Sequence, residues 1–198
     1  MNSLSMMQHA LGEQWEQLPP ALKAHYCAED NTDTGNLSIE FPAWMSAYLH
    51  LLHRFGALIP RRGHALPTTV EKRLREGSYH WTRTTRFPDD REIQFHSRWQ
   101  HADGNELVEF INRFLGLRMA VHVAGERLYF EGRHIILRLG RWQLPIPESL
   151  ALGHTTIVES ALDNEHFEMD FRLTHPLFGQ VYRYSGIFRV SRPLPADG

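Results

Sequence analysis

From residue 79 to residue 190, apolar side chains of this 198-residue chain recur at every second position, and that alternation limits what it can fold into. Successive side chains of an extended strand point to opposite faces, so period-two runs separated by turn signals read as an antiparallel sheet. Tyr79, Trp81, Arg83, Thr85 and Phe87 alternate with His80, Thr82, Thr84 and Arg86, and Pro88-Asp89-Asp90 then turns the chain. Ile93, Phe95, Ser97 and Trp99 oppose Gln94, His96 and Arg98, closed by Asp103-Gly104-Asn105. Residues 107–114 fit either a strand or a helical turn. Leu117, Met119, Val121 and Val123 form a strand, Ala124-Gly125-Glu126 turns it, and residues 128–130 return. Further strands are expected at 135–139, 155–162, 167–173 and 181–190. The segment with Pro145 and Pro147 reads as an edge or loop, because proline cannot donate to a ladder.

The first third reads differently. Ser3 or Ser5 can cap a helix through Met6, Met7, Ala10, Leu11 and Trp15, which Pro19-Pro20 ends, and a short second helix fits 21–26. Residues 28–38 are polar and turn-rich without an apolar period, and read as an exposed loop. Over 42–55 the spacing predicts a helix, with Pro42 at a first helical position and Gly56 just past the end. Trp44, Tyr48, Leu51, Leu52 and Phe55 make one stripe that is expected to pack on the core. The chain is thus expected to be a single domain over 1–198, with a helical N-terminal part at 1–67 and an antiparallel sheet at 68–192. The fold class is α+β: N-terminal helices packed on a curved, mostly antiparallel sheet of about eight strands that approaches a half-open barrel.

Composition narrows the function. Lys+Arg 21 against Asp+Glu 23 leaves a formal charge of -2, which supplies no global positive field and argues against a nucleic-acid partner. The single cysteine, Cys27, cannot form an internal disulfide, which points to the cytoplasm. No signal peptide is legible at the start, and no apolar run approaches the roughly 20 residues that cross a bilayer. No cofactor or metal is expected. His50 and His53 place two imidazoles on adjacent helical turns without a third ligand, no serine stands in a G-x-S-x-G elbow, and the glycines are isolated rather than gathered into a phosphate cradle. Cys27, two residues from His25, reads as a small half-buried thiol.

What remains is the polar content the strands can turn toward a cavity. Trp81, Arg83, His96, Arg98, Asp170, Tyr182 and Tyr184 are the candidate ligand-binding residues, with aromatics supplying contact area and charges fixing orientation. Arg83 stands out because it interrupts the aromatic face of its strand. No catalytic residue is assigned. The reading is a non-catalytic binding module for a small apolar or amphipathic ligand, in which Arg83, Arg98 or both anchor an acidic head group. The rivals are a cofactor-free hydrolase or isomerase using His96 or Asp170, and an interaction partner of a separate nicotinamide-dependent reductase.

Spaced short motifs cover nearly the whole chain: Leu11-Gly12, His25, Trp81-Thr82-Arg83-Thr84, Phe95-His96-Ser97, Leu117-Arg118, Leu144-Pro145-Ile146-Pro147, His175-Pro176, Gly179 and Tyr184-Ser185-Gly186. In their order the chain resembles the bacterial DUF4166 family of uncharacterised domains. It departs from the family's tryptophan-x-arginine-x-aromatic run by carrying Thr85 at the aromatic position. Some members resemble C-terminal partners of saccharopine-dehydrogenase-like proteins that bind nicotinamide nucleotides. The resemblance implies a domain that binds or presents a substrate to a reductase.

Overall fold

The alternating segments pair into one antiparallel sheet. The computed structural model describes residues 4–191. Its strands are β1 (Asn31–Glu40), β2 (Gly63–Arg75), β3 (Ser78–Arg86), β4 (Glu92–His101), β5 (Glu106–Phe110), β6 (Leu115–Ala124), β7 (Arg127–Leu139), β8 (Trp142–Ile146), β9 (His154–Ala161), β10 (His166–His175) and β11 (Gly179–Arg189). They run β6-β5-β4-β3-β2-β1-β11-β10-β9-β7-β8, and an additional β6–β7 pairing closes ten of them into a barrel. The expected half-open sheet of about eight strands is therefore a closed barrel. Strand makes up 55% and helix 17% of the described residues, so the fold is mostly β rather than evenly α+β. The proline-bearing β8 pairs only with the outer half of β7, as an edge strand must.

One extra strand lies within the segment expected to be helical, 1–67, and another starts there. β1 occupies residues expected to be an exposed loop, and β2 already begins at Gly63. The reason is that the inward positions of β1 begin with Asn31, Asp33 and Gly35, which carry no apolar period. These polar groups are buried because partners meet them. Asp33 pairs with the His25 ring and accepts from the Ser191 N–H, while Asn31 Nδ2 donates to the Ala24 and His25 carbonyls. At the β1–β11 seam the backbones approach so closely that a Cβ on Gly35 would run into the Ile187 carbonyl oxygen, and one on Gly186 into that of Asn36.

The N-terminal helices fill one end of the barrel. Ser5 caps α1 (Met6–Leu11) in a reciprocal capping box with Gln8, whereas Ser3 lies outside the described residues, as does Arg192 at the expected end of the sheet. A 3-10 turn (Gly12–Gln17) and α2 (Pro20–His25) follow. Met7, Leu11, Trp15, Leu22 and Tyr26 are buried against the same core as Trp81, Trp99, Phe130 and Phe167 of the wall. Each such side chain contributes about 1.5–3 kcal/mol by leaving water. Lys72 is fully buried where α2 ends, its Nζ donating to the His25 and Cys27 carbonyls at 2.8 and 2.6 Å, and burial pulls its pKa down.

The opposite end is crossed by the β1–β2 connection, with a 3-10 turn (Ala43–Met45) and α3 (Ser46–His53). Here most of the expected stripe turns outward, and of its members Leu52 packs against the core. Met45 and Leu49 are buried, while Trp44, Tyr48, Leu51 and Phe55 are exposed. The sequence holds two overlapping helical stripes, and only the one at 45, 49 and 52 faces the barrel.

Candidate functional site

Between the plug of N-terminal helices and α3 lies an interior cavity of about 270 Å³. Its upper wall is aliphatic: Leu37 and Ile39 from β1, Leu117 from β6, Ile135 from β7 and Leu173 from β10, with Leu52 and Ile59 from the connection above. The gap between the outer half of β7 and the start of β9 is closed by residues 146–153. Within it Glu148 is buried, accepting from the Thr155 N–H at 3.1 Å and the His154 ring at 2.9 Å.

The floor is polar. Arg83 points inward from β3, its Nη1 donating to Ser97 Oγ at 3.1 Å and lying 3.5 Å from Glu109 Oε1 of β5. The side chains of the pair are 14% and 11% exposed. The guanidinium also lies 5.6 Å from the Trp81 ring and 5.5 Å from that of Phe95. Tyr184 of β11 lines the same floor, stacked on Phe171 at 4.4 Å. Burial pushes its phenol well above the usual value, opposed by the charge of Arg83, so it stays protonated and able to donate.

One layer toward the plug, Glu159 of β9 is buried and accepts from Tyr26 Oη at 3.0 Å. Its second oxygen has no partner among the described residues. Burial raises the carboxyl above its ordinary value, partly opposed by the charges of His25 and Arg83. Beside it, burial first and then the Glu159 carboxylate raise Tyr26. The floor thus combines one fixed cation, the Glu109 carboxylate and the protonated Tyr184 phenol beneath an apolar chamber, an arrangement suited to holding the polar end of a mostly apolar molecule.

The structure brings four of the seven candidate residues to this interior. Arg83, Tyr182 and Tyr184 line the cavity, and Trp81 lies just beneath the floor. Tyr182 Oη donates to the Ile59 carbonyl and accepts from the Ile59 N–H, which ties the covering connection to the wall. The other three face outward. His96 and Arg98 line a basic groove on the outer surface with Arg73, Arg75 and His80. Asp170 is held by Arg172 and Arg183; burial works against its ionisation, but those hydrogen bonds outweigh it and keep the carboxyl below its ordinary range. His96 and Asp170 share no cleft, and Asp170 is poorly placed to accept a proton. Likewise His50 and His53 each bond a backbone carbonyl, of Ser46 and Leu58, and His25 engages Asp33 rather than the Cys27 thiol.

Sequence reasoning missed Glu109, Glu159 and Tyr26. For Glu159 a signal exists, since it takes the inward phase of Thr155, Ile157 and Ala161. Glu109 gives none, because Val108 and Phe110 on the other face of β5 are buried as well.

Compared with known proteins, the chain matches over residues 18–188 the family described as Domain of unknown function (DUF4166). No curated protein and no solved structure matches it.

Proposed function

The chain belongs to the DUF4166 family, and we propose that it binds a small amphipathic molecule inside the barrel. The observation that carries this reading is the apolar chamber of about 270 Å³ with the Arg83–Glu109 pair and Tyr184 at its floor. That volume lies near the lower end of pockets that hold small molecules, about 300–1,000 Å³. The apolar body packs between Leu37, Leu117, Ile135 and Leu173. The head accepts from Arg83 and Tyr184 and donates to Glu109, which suits a hydroxyl or a protonated carboxylic acid. A buried ion pair is weak evidence for a stabilising role, and a floor that presents both a donor and an acceptor to an apolar space reads as a recognition element.

The test is native mass spectrometry of the purified chain, followed by displacement of anilinonaphthalene sulfonate by a medium-chain fatty alcohol or acid. Expected are a bound mass, or saturable probe binding that the alcohol or acid displaces, and loss of either in Arg83→Met. An unliganded mass together with no saturable probe binding would overturn the reading.

A further inference from the structure

Beyond the ligand reading, and independently of it, we propose that the α3-covered end of the barrel docks on the surface of an anionic lipid bilayer. The observation is the uneven distribution of apolar and charged side chains between the two ends. Most large apolar residues left exposed among the described ones belong to the end covered by α3; the exceptions are Leu4, Leu74, Leu162 and Ile187. α3 and its flanks present Trp44, Leu51 and Phe55 outward. The β7–β8 hairpin adds Leu139 and Trp142, and the β10–β11 turn adds Leu177 and Phe178, which are 80% and 62% exposed. Trp44 meets Phe178 ring to ring at 5.4 Å, so helix and turn form one continuous rim. Exposed aromatic and aliphatic side chains gathered at one pole mark an interaction site rather than the usual scatter.

Charge selects the occupant. Arg54, Arg62, Arg113 and Arg141 sit in the connections of this same end, and none pairs with a carboxylate among the described residues. Arg62 lies over the Phe41 ring and Arg113 over that of Phe114, so cation and aromatic are interleaved. The exceptions are Glu40, which lies 3.9 Å from Arg183, and the acidic residues in the β3–β4 turn, where Asp89 is held by Arg61 and Arg91. At the plugged end the hairpin turns carry Glu76, Asp103, Glu126 and Asp163, set against Arg75 and Arg127 on their flanks. An anionic surface therefore attracts the α3-covered pole more strongly than the other, while tryptophan and leucine enter the interfacial layer. Separate turns and a short helix at the rim enter such a layer independently, with no need for a flat matching partner. The outer strand faces carry His96, Arg98, Asp170, Arg172 and Arg183, the reverse of the apolar outer band of a lipid-spanning barrel.

The full chain is sedimented with vesicles of phosphatidylcholine alone and of equal parts phosphatidylcholine and phosphatidylglycerol. Binding to the anionic vesicles, weakened by salt, is expected. The pair Arg113→Glu and Arg141→Glu should reduce it roughly thirty-fold or more, from the loss of two interfacial cations. The pair Trp142→Ser and Leu177→Ser should reduce it roughly ten-fold by removing the inserted apolar area. Leu162→Ser at the plugged end should leave it unchanged, and all variants should keep the parent melting temperature because every position is exposed. No preference for anionic vesicles, or equal losses from Leu162→Ser, would overturn the proposal. So would concentration-dependent self-association that shields Trp142 from a soluble quencher, which would assign the rim to a second copy of the chain. The readout is vesicle binding, so it fails or succeeds separately from the mass and displacement measurements on the cavity.

Discussion

Replacing Arg83 with methionine in one variant, Glu109 with glutamine in a second, and both in a third asks what the charged floor is for. At 3.5 Å, in surroundings of effective dielectric about 20, the pair attracts by about 5 kcal/mol, against which stands the cost of taking both ions out of water. Each single change leaves one charged or strongly polar group facing an apolar chamber, and should destabilise the fold by about 3–5 kcal/mol. Arg83→Met is the costlier of the two, because Glu159 also loses a favourable charge. The double variant removes both ions, and methionine restores apolar volume, so its stability should fall within about 1 kcal/mol of the parent. Urea unfolding followed by tryptophan emission reads this, since Trp81 lies directly beneath the guanidinium. The same double variant should lose saturable binding of the fluorescent probe. If the double cost instead equals the sum of the singles, the two groups are uncoupled; if it equals the larger single, the pair holds the wall together and its assignment to recognition is refuted.

Three further outcomes follow from the packing. Glu159 holds a proton in the native state at pH values where the unfolded chain has released it, so its contribution is full below the ordinary carboxylate range and is lost as pH rises through the raised value. Glu159→Gln keeps an acceptor for Tyr26, and its melting temperature relative to the parent should climb with pH across that window; a difference that stays flat would show an unperturbed carboxyl. Leu22→Ala, at a position with no exposure in the plug, should cost about 2–5 kcal/mol in the same urea titration, and a cost below 1 kcal/mol would mean that the helices are only loosely seated. Gly35→Ala forces β1 and β11 apart and should cost about 3 kcal/mol or more, with early amide exchange along both strands as its signature.

The sequence was most readable where each strand has one wet and one dry face. Phe167, Met169, Phe171 and Leu173 point inward on β10, with Glu168, Asp170 and Arg172 outside, in the phase the alternation predicts. The same rule placed Arg83 inside, and it also placed His96 and Arg98 outside once strand phase rather than residue type is followed. It failed at β1, whose inner face is polar because the helix just upstream supplies its hydrogen-bond partners, and a search for apolar periodicity does not register polar pairs of that kind. It failed again at β5, where Arg98 and Arg138 cover Phe110 from outside and so hide Glu109 in an apolar run. Closure was also out of reach: β6–β7 reads as an ordinary hairpin, and it joins a ring only through the β7–β9 pairing, which passes over β8, together with the β1–β11 pairing.

That last pairing carries a consequence for biogenesis. Thr34 finds its ladder partner at Arg189, so the earliest wall of the cylinder waits, one flank unzipped, until every later strand has been made. During this interval β1 offers free backbone groups to any neighbouring polypeptide, and the interior of the nascent sheet lies open to water. Its inward asparagine, aspartate and glycine make that waiting edge less adhesive than a valine-rich one, so the composition that concealed β1 from pattern reading also guards it against sticking to the wrong chain.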